Sequence, residues 1–554
     1  MMSKKYITAI CLLLIMMTSC NNLNFDEATG NSKAYSYAYF DEAANNVTAI
    51  YGQLQSDFGA IGGAMRDAAT DNAVYTWSDN QVYNIYNNIW SKLNTVDDVW
   101  STYYTAIRSS NVFLDNFSLK NFERFKDNAT YTTDLAKAVK YPYEVRFLRA
   151  YFFFELSKRY GDIPLLTRTY SMDEINKVEK SSFDQVVDYI VHECDTIAPI
   201  LPITYRTTTL ETGRATRGAA MALKARTLLY AASALHNPTN DPAKWDRAAK
   251  ASFDLVSNSE INGWYKFEPT VNLFSNGNAM LTAKELIFER RNGNSNDFES
   301  RNLPIGFEGG NSGNTPTQNL VDAFEMKDGT LFDWTNPVHA ANPYLNRDPR
   351  FYKTIAYNGS VLMGKTIQTF NGGLNGYPTI GATPTGYYLK KYIDQTISLS
   401  ATSSISKPHH YVLFRYAEAM LNYAEALNEW KGPDYKDATY TISAREALNK
   451  VRANATMPAI LGDNSQDAFR IRVRNERRIE LAFEDHRFWD IRRWKIGDVV
   501  KNIFGITIIQ NGTTLTYSTQ QLLPARVWDN KMYLYPIAET ETFINANLKQ
   551  NTGW

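Results

Sequence analysis

The chain has little cysteine, no surplus of either charge and no long apolar run. Three cysteines, Cys11, Cys20 and Cys194, occur in 554 residues. Cys11 falls within an apolar leader and Cys20 at its end, so a mature chain would keep one internal thiol, too few for a disulfide framework or paired metal ligands. The 58 Lys and Arg balance 58 Asp and Glu, which argues against nucleic acid or anionic lipid as the main partner. No segment reaches the roughly 20 apolar residues of a membrane-spanning helix. Gly-x-Ser-x-Gly and His-Glu-x-x-His signatures are missing, which argues against the commonest serine-hydrolase and zinc-protease chemistries. His192-Glu193-Cys194 looks like a metal fragment but lies within an amphipathic helix, so a packed Cys and a satisfied His are expected there. No metal or cofactor is expected.

What the chain has in quantity is aromatic rings, 13% of residues, with 35 Tyr and 11 Trp. Rings are core material first. They also build sugar- and protein-binding surfaces, because they give large contact area at small entropic cost.

The first residues read as a secretory leader. Lys4 and Lys5 precede an apolar run from Tyr6 to Met17, then Thr18-Ser19-Cys20 and polar Asn21-Asn22. Small residues before a cysteine at the end of such a run resemble a bacterial lipobox. Residues 1–19 are therefore expected to be a signal peptide, Cys20 the acylated residue and 20–35 a tether. Acyl chains at about 0.8 kcal/mol per buried CH₂ would anchor the chain in the outer-membrane lipid. Without Lys4 and Lys5 the mature chain would carry a net charge of −2.

Helical periodicity predicts a scaffold over about 36–256 and 406–500. Its helices are expected at Phe40–Leu54 (capped by Asp41), Asp97 to Asn116 or Leu119, Asp134–Tyr160, Ser181–Ala198 and Gly213–Leu235. A short one follows at Trp245–Val256, then Tyr411–Trp430 and Lys436–Arg452. Ala-rich helices separated by turns suggest tetratricopeptide-like pairs. Between about 257 and 405 Gly, Asn, Thr and Pro predominate and apolar runs shorten. This reads as a loop-rich insert with small hairpins and a short helix at Thr317–Phe324. An aromatic tail covers 501–554, and 36–554 are expected to form one mostly α domain.

The densest stretch runs from Arg477 to Trp494. Ile479, Phe483, Phe488 and Ile491 can share an apolar side. Spacings of three and four pair Arg477 with Glu480 and Glu484 with Arg487, each exposed pair worth about 0.2–0.5 kcal/mol. Arg forks interleaved with Trp are suited to clamping other elements. A glycosidase using Glu480 and Glu484 is the enzymatic alternative. However, two carboxylates one turn apart on one helix and hemmed by Arg are poorly suited to facing each other across a glycosidic bond.

Taken in order, several pieces resemble the SusD/RagB family. They are the Cys20 leader, Trp100 with Asn111-Val112-Phe113-Leu114-Asp115, and Glu144-Val145-Arg146-Phe147-Leu148-Arg149-Ala150-Tyr151-Phe152 through Tyr160-Gly161-Asp162-Ile163-Pro164-Leu165. Next come Gly213-Arg214-Ala215-Thr216, Glu285-Leu286-Ile287-Phe288, Asn346-Arg347-Asp348-Pro349-Arg350 and Arg415-Tyr416-Ala417-Glu418. Tyr423 to Asn428, Glu476 to Trp494 and Gln550-Asn551-Thr552-Gly553-Trp554 complete the series. Ala538 and Thr552 depart from frequent prolines. The resemblance implies a helical scaffold presenting a variable ligand face, surface capture of glycans, or of peptides in RagB-like members, without cleavage, and a SusC-type TonB-dependent transporter as partner.

The resemblance also implies a ligand platform between the first two long helices. Aligning the family's acidic dipeptide on Asp71-Asn72 puts Tyr75 and Trp77 on aromatic positions and Asn80 on a polar contact. Sugar C–H faces stack on rings, worth about 0.5–1.5 kcal/mol beyond area burial, and Asn offers both donor and acceptor to hydroxyls. Further contacts are expected from Arg291, Asn292, Asn294, Asp297 and Phe298. Trp264, Tyr265 and Trp334 are expected to be structural.

Overall fold

The computed structural model describes residues 36–206, 211–269, 272–274 and 278–554. The leader, Cys20 and the tether lie outside the described residues, and no described helix is long and apolar enough to cross a membrane.

Helices that follow one another in the chain lie side by side. Trp100–Asn116 packs on Tyr141–Tyr160, which packs on Phe183–Ile197, then Arg217–Ala232, then Pro242–Asn262. Pro242–Asn262 contacts Tyr416–Lys431 across the insert, and Ala444–Asn454 and Gln466–Glu480 lie against that helix. Small side chains allow the close approach: Ala219, Ala220, Ala248, Ala249, Ala424 and Ala426 are fully buried.

Local chemistry sets the helix ends. Ser182 and Ser443 cap their helices through reciprocal boxes with Gln185 and Glu446. Thr216 accepts from the Ala219 N–H. Several expected boundaries change, among them the start of the Lys436–Arg452 helix, which begins only at Ala444. The Asp134–Tyr160 helix is two, Tyr131–Ala138 and Tyr141–Tyr160. Pro142 lacks an N–H and its ring would strike a carbonyl one turn back, so it can only sit in a new first turn. The short 245–256 helix is 21 residues long, Pro242–Asn262, capped by Asp241 and ended by Gly263 at φ +63°. Tyr411–Arg415 is a strand buried throughout, and the helix begins at Tyr416. Asp41 caps nothing; its helix starts after Tyr39, with no side-chain cap.

Tyr411–Arg415 pairs antiparallel with Leu286–Arg290. The insert thus enters and leaves the scaffold along one ladder, and its loops extend from a fixed base. The tail contains a hairpin, Phe504–Asn511 with Thr514–Gln521, absent from the expectations above. Trp264 is partly buried against the core and Tyr265 is buried, as expected. Trp334 is partly buried and its Nε1 donates to Asp322 at 3.2 Å. Cys194 is buried in the core, and burial pushes its thiol up. Its neighbour Glu193 is bound by Arg146 at 2.9 Å, while His192 is exposed and not satisfied in the core.

The Arg477–Trp494 stretch is interrupted. Helix Gln466–Glu480 stops, Phe483 and Asp485 take positive φ of 61° and 60°, and a second helix runs Arg487–Arg493. The expected pairs along one helix therefore do not form. Arg477 holds Asp490 at 2.8 Å and donates to His486 Nδ1 at 3.0 Å. Glu484 binds Arg415 and Lys391, and Arg487 binds Asp71. Burial and neighbouring guanidiniums hold His486 well below the usual imidazole range, so its ring accepts from Arg477 as a neutral group.

Candidate functional site

The segment 71–80 crosses from interior to surface. Asp71 is 4% exposed. Arg487 grips its carboxylate with Nε and Nη2, each at 2.8 Å, and Arg478 approaches to 3.0 Å. The two guanidiniums hold the Asp71 carboxyl down at about 2 despite its burial. Asn72 accepts from Arg478 Nε at 2.8 Å, and Arg526 donates to the carbonyls of Thr70 and Ala73. Asp71 therefore anchors this segment and is not part of a ligand face.

Ala73–Tyr75 then pairs antiparallel with Asn314–Pro316. Tyr75 is 8% exposed. Its ring fits only because two neighbours are glycine. A Cβ on Gly313 would lie 3.0 Å from a Tyr75 ring carbon, and one on Gly63 would lie 2.9 Å from its hydroxyl. Burial pushes the Tyr75 phenol up, with Arg301 opposing and Asp79 adding to the effect. Tyr75 thus supports the platform from below. Two residues on, Trp77 is 36% exposed, its Nε1 donating to the Asn311 carbonyl at 2.7 Å. Thr76 fixes the base of the ring, donating from N to Gly313 O at 2.9 Å and from Oγ1 to Ser312 O at 2.5 Å. A Trp held in this way offers a ring face in a set orientation.

Asn80 is committed locally. Its Oδ1 accepts from Val82 N at 2.9 Å and its Nδ2 donates to Gly62 O at 2.8 Å, so it shapes the turn behind Trp77. Phe298 is 5% exposed and packs on Phe58 at 4.9 Å and His409 at 6.0 Å between ring centroids. It is core, which corrects its expected ligand role. Sequence spacing could not separate an exposed ring from one turned inward.

A second loop meets Trp77. The edge of the indole lies 3.0 Å from where a Cβ on Gly381 would stand, at a position with φ +78°. The loop leading to Gly381 carries Leu374, Tyr377 and Ile380, exposed by 68%, 72% and 86%. Asn375 fastens it, donating to Ile305 O at 2.6 Å and accepting from Gln368 N at 3.0 Å. The signal was present in Asn371-Gly372-Gly373-Leu374-Asn375-Gly376-Tyr377-Pro378, turn residues around one ring. Nothing in that run says which loop it will lie against.

Glu480 and Glu484 are bound by cations. Arg415 reaches Glu480 at 2.8 Å and Glu484 at 2.7 Å, and Arg350 reaches Glu480 at 2.7 Å. These guanidiniums hold the Glu480 carboxyl down at about 2. A carboxyl so held is a poor proton donor near neutral pH.

Residues 284–554 match the family model described as SusD family, and residues 26–229 match one described as starch-binding, associating with outer membrane. The chain is 25% identical over 464 residues to SusD-like protein P2 of Formosa agariphila, covering 82% of this chain and 80% of that one. It is 23% identical to SusD-like protein P25 of the same organism, covering 82% and 81%. Among solved structures, a SusD-like protein from Bacteroides fragilis matches with 27% identity and TM-score 0.77, covering 94% of this chain and 98% of that one. A SusD-like carbohydrate-binding protein from the same species matches with 25% identity and TM-score 0.74, covering 93% and 99%. With helices stacked in chain order, a loop face above them and two family models that together span most of the sequence, the chain belongs to the SusD/RagB family.

Proposed function

We propose that this protein is a cell-surface, non-catalytic glycan-binding lipoprotein that captures oligosaccharide and hands it to a SusC-type TonB-dependent transporter. The observation that carries the binding reading is Trp77, a half-exposed indole on a strand end pinned by Thr76, Asn311 and Gly381. A ring held in place loses little entropy when a sugar stacks on it. A solved relative described as a carbohydrate-binding protein, and a matching family described as associating with the outer membrane, support the same reading. The saturated Glu480 and Glu484 favour capture over hydrolysis.

Calorimetry of wild type and Trp77→Ala against oligosaccharide panels tests the platform. Loss of affinity in the variant with unchanged melting supports it; equal affinity removes it. A peptide pool titrated alongside separates the RagB-like alternative, in which peptides bind and sugars do not. A reducing-sugar assay on pure protein tests the absence of cleavage. Co-purification of a TonB-dependent barrel from detergent-solubilised outer membrane tests the partner. Labelled palmitate tests the anchor: label on wild type and none on Cys20→Ala is the expected pair.

A further inference from the structure

A cavity of about 430 Å³ opens between the insert and the scaffold, lined by no residue of the 71–81 or 371–382 segments. Its volume falls in the roughly 300–1,000 Å³ range of small-molecule pockets. Five cationic side chains line it, and three of them are engaged. Arg350 holds Asp348, Glu476 and Glu480; Arg415 holds Glu285, Glu480 and Glu484; Lys391 holds Glu484. The third lining carboxylate, Glu268, accepts from the Lys284 N–H at 2.5 Å and faces Lys266 at 4.0 Å. Lys353 and Lys390 are left with no carboxylate in ion-pair range among the described residues. Burial alone lowers the Lys390 ammonium from its ordinary range.

We propose that this cavity is a second ligand site, for a monosaccharide-sized sugar acid whose carboxylate is neutralised by Lys353 and Lys390. The other walls suit the rest of such a molecule. Gln395, whose Oε1 already accepts from Met363 N, keeps its amide hydrogens for hydroxyls. Phe274 lines the cavity with a ring partly buried against the cluster of Leu273, Leu281 and Leu286, with Lys391 Nζ 4.1 Å from its centroid. A bare inorganic anion would leave most of this volume to water.

The test uses the full folded protein at low ionic strength, where the attraction of lysine for carboxylate is screened least. Galacturonate, galactose and inorganic phosphate are titrated into wild type, Lys353→Ala/Lys390→Ala and Trp77→Ala. Galacturonate is expected to bind at least tenfold more tightly than galactose, to lose at least tenfold in the double variant and to be unchanged by Trp77→Ala. Lys353→Met/Lys390→Met, which keeps the stems, guards against a packing effect and should show the same loss. Equal affinity for galactose, full retention in both double variants, or no galacturonate binding overturns the proposal. Phosphate binding as tight as galacturonate overturns the sugar-acid assignment. Loss with Trp77→Ala overturns the separateness of the site. Failure of glycan binding at Trp77 would leave this result untouched.

Discussion

Replacing Asp71 separates an anchor from a ligand contact. Its carboxyl titrates near 2 in the folded chain against 3.8 for the free group. At about 1.4 kcal/mol per pKa unit, a shift of this size corresponds to about 2–3 kcal/mol of stability. The folded value lies below the unfolded one, so this contribution is complete above about pH 4 and is lost as pH falls through 2. Asp71→Ala also leaves the side chains of Arg478 and Arg487, both largely buried, without their shared anion. Breaking a buried pair from one side costs about 3–5 kcal/mol. Urea unfolding at neutral pH, followed by far-ultraviolet circular dichroism, should therefore show a loss of about 3–5 kcal/mol for Asp71→Ala. The loss should be smaller for Asp71→Asn, which keeps one acceptor. A double-mutant cycle with Arg487→Ala should return a coupling energy above about 1 kcal/mol. If Asp71→Asn weakens glycan binding while leaving the unfolding midpoint unchanged, Asp71 is a contact residue and the clamp argument fails.

Other consequences follow from the same geometry. Gly313→Ala places a Cβ 2.6 Å from Arg301 O and 3.0 Å from the Tyr75 ring. It should destabilise by about 1–3 kcal/mol and shift Trp77 fluorescence, because overpacking moves the strand that carries it. Asp67 is buried with Oδ2 unpartnered, and burial raises its carboxyl to about 7. A raised folded value means that stability falls as pH rises from about 4 to 7, so Asp67→Asn should flatten that part of the stability–pH curve. An unaltered curve would show that Asp67 is ionised without penalty. Gly381→Val should weaken glycan binding, through displacement of the Trp77 edge 3.0 Å away, while far-ultraviolet dichroism stays unchanged. Binding equal to wild type would show that the two loops act independently.

The sequence by itself determined what depends on residues a few positions apart. Apolar stripes at helical spacing and Gly or Pro stops located most scaffold helices and the change of texture at the insert. Tyr411–Arg415 misled because a short apolar run reads alike as strand or helix until its partner, Leu286–Arg290, is known. The charged stretch was legible as a clamp but not in its pairing. Its spacing suggested Arg477 with Glu480 and Glu484 with Arg487, whereas the break at 481–486 sends each to a group from another turn or element. The ring at 77 and the ring at 298 carry the same kind of local signal. Only packing turned one outward beside Gly381 and the other inward beside Phe58. Partner choice for a charge or a ring is set by which distant segment arrives, and that is a property of the folded chain.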